Sequence, residues 1–137
     1  MAKQPGIPKV KNYMSTPPYT IGDEQTMARA HELMRRHRVR HLPVLRAHDL
    51  VGVVSDGDLH MVETLADVDP RKVRVDEAMT QDVYTVSPEA PLDEVVREMA
   101  THKYGSAVVV EHGRVVGVFT TVDACRAFAD MLDAPLG

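Results

Sequence analysis

Tryptophan is absent from this chain, and aromatic residues of all kinds make up only 4% of it. A surface that stacks several nucleobases, as single-strand nucleic-acid binders use, has too few rings to be built. There is one cysteine, Cys125, so no internal disulfide forms, and the sequence suits a reducing cytosol. No run approaches the roughly 20 apolar residues that a membrane span needs. No charged-then-apolar leader opens the chain, so a cytoplasmic location without membrane insertion is expected. Excess positive charge is also missing: the net charge is −4 and the pI about 5.9, which argues against nucleic acid as the main partner. The known catalytic signatures are lacking too. There is no G-x-S-x-G elbow, no G-x-x-x-x-G-K-[ST] phosphate loop and no G-x-G-x-x-G fingerprint, and no enzyme activity is expected.

What is present is a repeat. Shifted by 65 residues, Met14 falls on Met79, Tyr19-Thr20 on Tyr84-Thr85, Met34 on Met99 and His37 on His102. Val51-Gly52-Val53 then falls on Val116-Gly117-Val118, and Asp58 on Asp123. Ile21 with Val86, Arg38 with Lys103 and Ser55 with Thr120 match in kind. A tandem of this sort buries one core between its halves and presents paired clefts. At 137 residues and 44% apolar content the chain is long enough for one compact domain or two half-domains.

Each copy runs strand, helix, strand, strand, helix. Pro18–Ile21 and Val83–Val86 are short extended pieces. Asp23 precedes a stretch in which Met27, Ala30, Leu33, Met34 and His37 recur at helical spacing. In the second copy Ser87 as cap and Pro88 as first helical residue open the way to Leu92, Val95, Val96 and Met99. His41–Leu45 with Leu50–Val54, and Ala107–Val110 with Val115–Phe119, are valine-rich runs expected as strands buried on both faces and joined by hairpins. A closing helix starts near Ser55 in one copy and Thr120 in the other. The expected division is an extended basic arm at 1–12, read as a partly disordered terminus rather than a nucleic-acid arm, repeats at 13–65 and 76–132, a polar linker at 66–75 and a tail at 133–137. The fold class is α+β, two β-α-β-β-α repeats packed sheet to sheet.

Three paired motifs carry a resemblance. They are Met14–Ile21 with Met79–Val86, Val39-Arg40-His41-Leu42-Pro43-Val44 with Tyr104–Val109, and Val51–Asp58 with Val116–Asp123. In this order, twice, they resemble the tandem CBS domain, or Bateman module. The resemblance implies a regulatory module that binds adenosine-bearing ligands (AMP, ADP, ATP or S-adenosylmethionine), with no obligatory cofactor, and passes occupancy on as a conformational signal. It further implies a homodimer, with Met61, Val62, Phe128, Met131 and Leu132 of the closing helices at the interface, and a protein partner regulated in trans.

The resemblance assigns ligand contacts. Ser55 and Thr120 would meet the ribose–phosphate part, and Asp58 and Asp123 the ribose hydroxyls, since a carboxylate accepts two hydrogen bonds from a vicinal diol. The same [ST]-x-x-[DE] spacing at a helix start is a capping box needing no ligand, and the two roles are compatible. Tyr19, Thr20 and Ile21, with Tyr84, Thr85 and Val86, would line the adenine pocket; a plain strand is the alternative. Arg40 and His41 precede a strand where nucleotide-binding relatives often carry basic residues, and arginine suits phosphate. A solvated basic face spanning 35–41 is the alternative. Gly105 and Ser106 stand at the matching positions, so the halves are electrically unequal. His37 and His102 are expected at helix ends rather than on a metal, and no metal site is expected. Cys125 reads as a packed small residue, and Met27, Met34 and Met99 as core filler.

Overall fold

The structure is a computed structural model and describes residues 6–66 and 68–133. Residues 1–5 of the expected arm, Asp67 of the expected linker and residues 134–137 of the expected tail lie outside the described residues. The elements are β1 (Ile21–Gly22), α1 (Met27–His37), β2 (His41–Arg46), β3 (Asp49–Ser55), α2 (Asp56–Ala66), β4 (Thr85–Val86), α3 (Leu92–His102), β5 (Ser106–Glu111), β6 (Arg114–Thr120) and α4 (Thr121–Asp133). Single 3-10 turns at Val10–Asn12 and Val75–Glu77 precede the two copies.

Each copy forms a three-stranded sheet, β1-β2-β3 or β4-β5-β6. The middle strand pairs parallel with the short first strand and antiparallel with the third. Both hairpins carry the same irregularity, at Val44/Leu45 and Val109/Val110. Their turns place Ala47 at φ 56°, and His112 and Gly113 at φ 52° and 75°. Positive φ of this kind matches the right-handed twist of a tight hairpin. Helices α1 and α3 end alike, with Arg38 and Lys103 in the left-handed region. That turn sends the chain back into β2 and β5.

Two helix starts differ from the sequence reading. Thr26, not Asp23, caps α1, its hydroxyl accepting from the Arg29 N–H at 3.1 Å. Asp23 is buried and accepts instead from Arg46 Nε at 2.7 Å, which with Glu24 holds its carboxyl below the usual carboxylate range. Ser87 and Pro88 do not open α3. Ser87 closes a turn with Ala90, and the helix begins at Leu92. The carbonyls of Pro88 and Ala90 are taken by the N–H groups of Lys11 and Val10, so this segment serves as a docking edge rather than a helical turn.

Segments that fall in the expected arm and linker pack against the two copies. Residues 8–15 lie on the second copy: Leu92 N–H donates to Pro8 O, and Ser15 and Val118 exchange two backbone bonds. Val10 is fully buried among Leu92, Val95, Ala107 and Phe119, while Lys9 and Lys11 pair with Glu89. These lysines hold the Glu89 carboxyl down to about 2. Residues 73–80 mirror this on the first copy, with Val75 buried there and Thr80 bonded to Val53. Each copy is therefore strapped by the segment that precedes the other.

The straps bring backbone close to β3 and β6. A Cβ on Gly52 would sit 2.6 Å from Met79 Sδ and 2.9 Å from the Thr80 carbonyl, and one on Gly117 2.5 Å from Met14 Sδ. A side chain at either position would push the strap off the sheet.

Buried apolar residues form two clusters rather than the one core expected. The first holds Met27, Met34, Leu42, Val44, Val54 and Leu59, the second Leu92, Val95, Met99, Val109 and Phe119. Each fills the space between one sheet and its own helices. The opposite faces of the strands, carrying Pro43, Val53, Val108 and Val118 by period-two alternation, meet across β2 and β6. Met27, Met34 and Met99 are core, as expected. Cys125 is exposed on α4, not packed.

Candidate functional site: two clefts at the strand-to-helix joints

In the hairpins His41 opposes Ser55, and Ser106 opposes Thr120. The start of each middle strand is therefore fixed beside the point where the third strand becomes a helix. Asp56 N–H donates to Arg40 O at 3.0 Å, and Thr121 N–H to Gly105 O at 3.3 Å, which locks the two joints. The joints of the two copies face each other, and two clefts open there.

The larger, about 570 Å³, is lined by Ser15, Tyr19, Arg38, Arg40, Thr120, Asp123 and Arg126, among others. The smaller, about 310 Å³, is lined by Ser55, Asp58, Thr80, Asp82, Tyr84, Lys103 and Tyr104, among others. They are equivalent under the repeat: Ser15 corresponds to Thr80, Tyr19 to Tyr84, Arg38 to Lys103 and Asp123 to Asp58. Each cleft is built from both copies. His41 and Gly105 line both, with the imidazole 3.0 Å from where a Gly105 Cβ would stand. Burial pushes the His41 imidazole below its ordinary value, against the pull of Asp56 and Asp58.

Both aspartates act as capping boxes. Asp58 Oδ2 accepts from the Ser55 N–H at 2.9 Å, and the Asp58 N–H donates to Ser55 Oγ at 3.0 Å. Among the described residues nothing donates to its Oδ1, which leaves that oxygen able to take a ribose hydroxyl. Asp123 is nearly fully buried and fully engaged. Its Oδ2 accepts from the Thr120 N–H at 2.9 Å, and its Oδ1 from Ser15 Oγ and Arg126 Nη1, both at 3.0 Å. A diol arriving there must take over bonds that Ser15 and Arg126 now make.

Of the residues singled out in the sequence, Tyr19, Arg40, His41, Ser55, Asp58, Tyr84, Thr120 and Asp123 line a cleft. Arg40 falls in the Asp123 cleft, which sequence alone left open. Thr20, Ile21, Thr85 and Val86 line neither. Ile21 is buried in the first cluster and pairs with Val44, and Val86 packs on the second, because the parallel pairing turns these residues toward the helices. His37 and His102 do end their helices; His37 stacks on Tyr19 at 3.7 Å and His102 on Tyr104 at 5.1 Å. Sequence reasoning passed over Ser15 with Thr80, Asp56, Asp82, Lys103 and Arg126. Two signals were readable: a hydroxyl kept at 15 and 80, and a cation kept at 38 and 103. Among the described residues no cluster of three His, Cys, Asp or Glu side chains is placed to hold a metal, and no helix is long and apolar enough to cross a membrane.

Tandem α+β repeats with paired clefts, each completed by the other repeat, define a class of paired-repeat modules. Within it the family is settled by the sequence: residues 10–62 and 75–130 match the CBS domain model, and the chain belongs to the CBS domain family. It is 32% identical over 124 residues to L-aspartate semialdehyde sulfurtransferase of Methanocaldococcus jannaschii, covering 89% of this chain but only 23% of that protein. It is 28% identical over 107 residues to hypoxic response protein 1 of Mycobacterium tuberculosis, covering 77% of this chain and 75% of the relative. Among solved structures it superposes on a CBS domain pair in complex with 5'-methylthioadenosine and S-adenosyl-L-methionine, with a TM-score of 0.83 and 28% identity over 91% of this chain and 98% of that one.

Proposed function

We propose that this chain is a regulatory module that binds adenosine-bearing ligands (AMP, ADP, ATP or S-adenosylmethionine) in the two clefts and signals occupancy by shifting one repeat against the other. One observation carries the reading: each Ser/Thr-x-x-Asp joint opens onto a cleft whose far wall comes from the other repeat. A ligand there bridges the halves, and a difference in affinity between two relative positions is what a sensor needs. The related domain pair in complex with methylthioadenosine and S-adenosylmethionine supports the adenosine class. The module acts in the cytoplasm on a protein partner in trans, without catalysing a reaction itself.

Its assembly is a homodimer with closed two-fold symmetry. Met61 and Leu65 on α2, and Val122, Phe128, Met131 and Leu132 on α4, are all exposed. Val62, expected among them, instead packs on the first cluster.

The test is the melting temperature with a panel of nucleosides and nucleotides. A ligand at 100 times its Kd stabilises the folded state by about 2.7 kcal/mol, a shift of several degrees. Adenosine compounds should raise the melt and guanosine nucleotides should raise it less. No shift with any adenosine compound at millimolar concentration refutes the reading. It would favour a docking module with vestigial clefts, in which Ser15 and Arg126 stand permanently where a ribose would be.

A further inference from the structure

We propose that the two clefts sort adenosine ligands by charge: the Asp123 cleft takes those carrying a run of two or three phosphates, and the Asp58 cleft takes uncharged or cationic ones. The inference rests on the reading of both clefts as adenosine sites. It names the ligand class of each.

The clefts are equivalent in backbone but opposite in charge. Arg38, Arg40 and Arg126 line the Asp123 cleft against two acids, Asp56 and Asp123. The Asp123 charge is already met within the protein by Arg126, while Arg38 and Arg40 pair with no carboxylate among the described residues. The Asp58 cleft reverses this. Lys103 is its one full cation, and Asp58 and Asp82 pair with no cation among the described residues. One cleft therefore presents unspent guanidinium groups and the other unspent carboxylates. A phosphate run is drawn to the first by charge-assisted, bidentate bonds and repelled from the second. The sulfonium and ammonium of S-adenosylmethionine suit the second.

Size and continuity add to charge. The Asp123 cleft is the larger, and it shares Arg38, Val39, Arg40 and Asp56 with an open groove of about 730 Å³ between α1 and α2. That groove adds Arg35 and His60, and also His31, which is already paired with Glu63. A phosphate run extending from a ribose at Asp123 into that groove would meet Arg40 and Arg38, which line both, and Arg35, which lines the groove alone. Positions matching Arg35, His31 and His60 in the second copy are Ala100, Val96 and Cys125, so no basic groove continues the Asp58 cleft. The Arg126 guanidinium, released from Asp123 by an incoming diol, lies in the same cleft as the phosphates.

The experiment is calorimetric titration of wild type, Arg40→Ala, Arg35→Ala and Asp82→Asn with adenosine, ATP and S-adenosylmethionine. The three arginine and aspartate positions are exposed, so these variants should fold, and a melt of each checks that. Arg40→Ala should weaken ATP roughly tenfold and leave adenosine within about twofold, the loss of one charge-assisted bond. Arg35→Ala should weaken ATP by a smaller factor. Asp82→Asn should weaken S-adenosylmethionine several-fold and leave ATP unchanged. Equal losses for adenosine and ATP in Arg40→Ala, or a loss of ATP binding in Asp82→Asn, overturns the sorting. If no adenosine compound binds wild type, the adenosine reading fails by itself, and inorganic tripolyphosphate becomes the probe. Tripolyphosphate binding that is lost in Arg40→Ala then upholds the anion selectivity of the larger cleft, and no binding overturns it.

Discussion

Replacing Val10 by alanine asks whether residues 8–15 are a free arm or part of the core. Val10 has no exposed surface and packs among residues that follow it by about eighty or more positions. The substitution removes two methylene equivalents, about 1.6 kcal/mol of transfer free energy. The cavity left behind adds up to about 1 kcal/mol if the strap does not collapse into it. The total is about 2–2.5 kcal/mol, which for a domain of this size lowers Tm by about 7–9 °C. Ile7, three residues earlier and 57% exposed, supplies the control, and Ile7→Ala should change stability by less than about 0.5 kcal/mol. Val75→Ala, at the equivalent buried position on the other strap, should cost about as much as Val10→Ala. The assay is urea unfolding followed by circular dichroism at one protein concentration, reading the midpoint at constant slope. A Val10→Ala midpoint indistinguishable from that of Ile7→Ala would show that the strap is not packed and would sink the two-strap description.

Three further outcomes are expected. Gly52→Ala should destabilise more than Gly117→Ala, because its Cβ lies 2.9 Å from the Thr80 backbone carbonyl as well as beside Met79 Sδ, while the three atoms nearest that of Gly117 all belong to the Met14 side chain; equal midpoints in urea would contradict this. The His41 imidazole is held below its ordinary 6.5 by burial, so the unfolded chain binds the proton more readily and stability should fall as pH drops below about 6.5 until the depressed value is passed. His41→Gln should flatten that part of the profile, and an unchanged slope between about pH 7 and 5 would refute the assignment. Phe128→Asp or Leu132→Asp should give a monomer by light scattering without lowering the helix content, whereas an unchanged dimer would place the interface elsewhere.

The sequence by itself determined the repeat and the elements within it. A 65-residue shift that keeps Val-x-Val and Ser/Thr-x-x-Asp in phase dictates two copies of one unit. Apolar spacing in 27–37 and 92–102 separated helix from the continuous valine runs of the strands, since both are local periodicities of the chain. It also placed Ser55, Asp58, Thr120 and Asp123 at strand-to-helix joints, because a capping box is written in four consecutive residues.

Only the tertiary structure decided what crosses between the copies. Nothing local marks Val10 as core, since its burial is created by Leu92 and Phe119. Nothing local assigns Arg40 to the Asp123 cleft rather than its own copy's Asp58, because the clefts lie between the halves. Ile21 and Val86 looked like cleft residues, yet Ile21 is core and Val86 packs, partly buried, on the second cluster, since parallel pairing with β2 and β5 fixed which face they present. Asp58 and Asp123, identical in motif, differ because Ser15 on one strap donates to Asp123 while its counterpart Thr80 makes no such bond to Asp58, and because Arg126 fills a position where the other copy has Met61. Local patterns fix the parts, and long-range contacts give two equal motifs unequal chemistry.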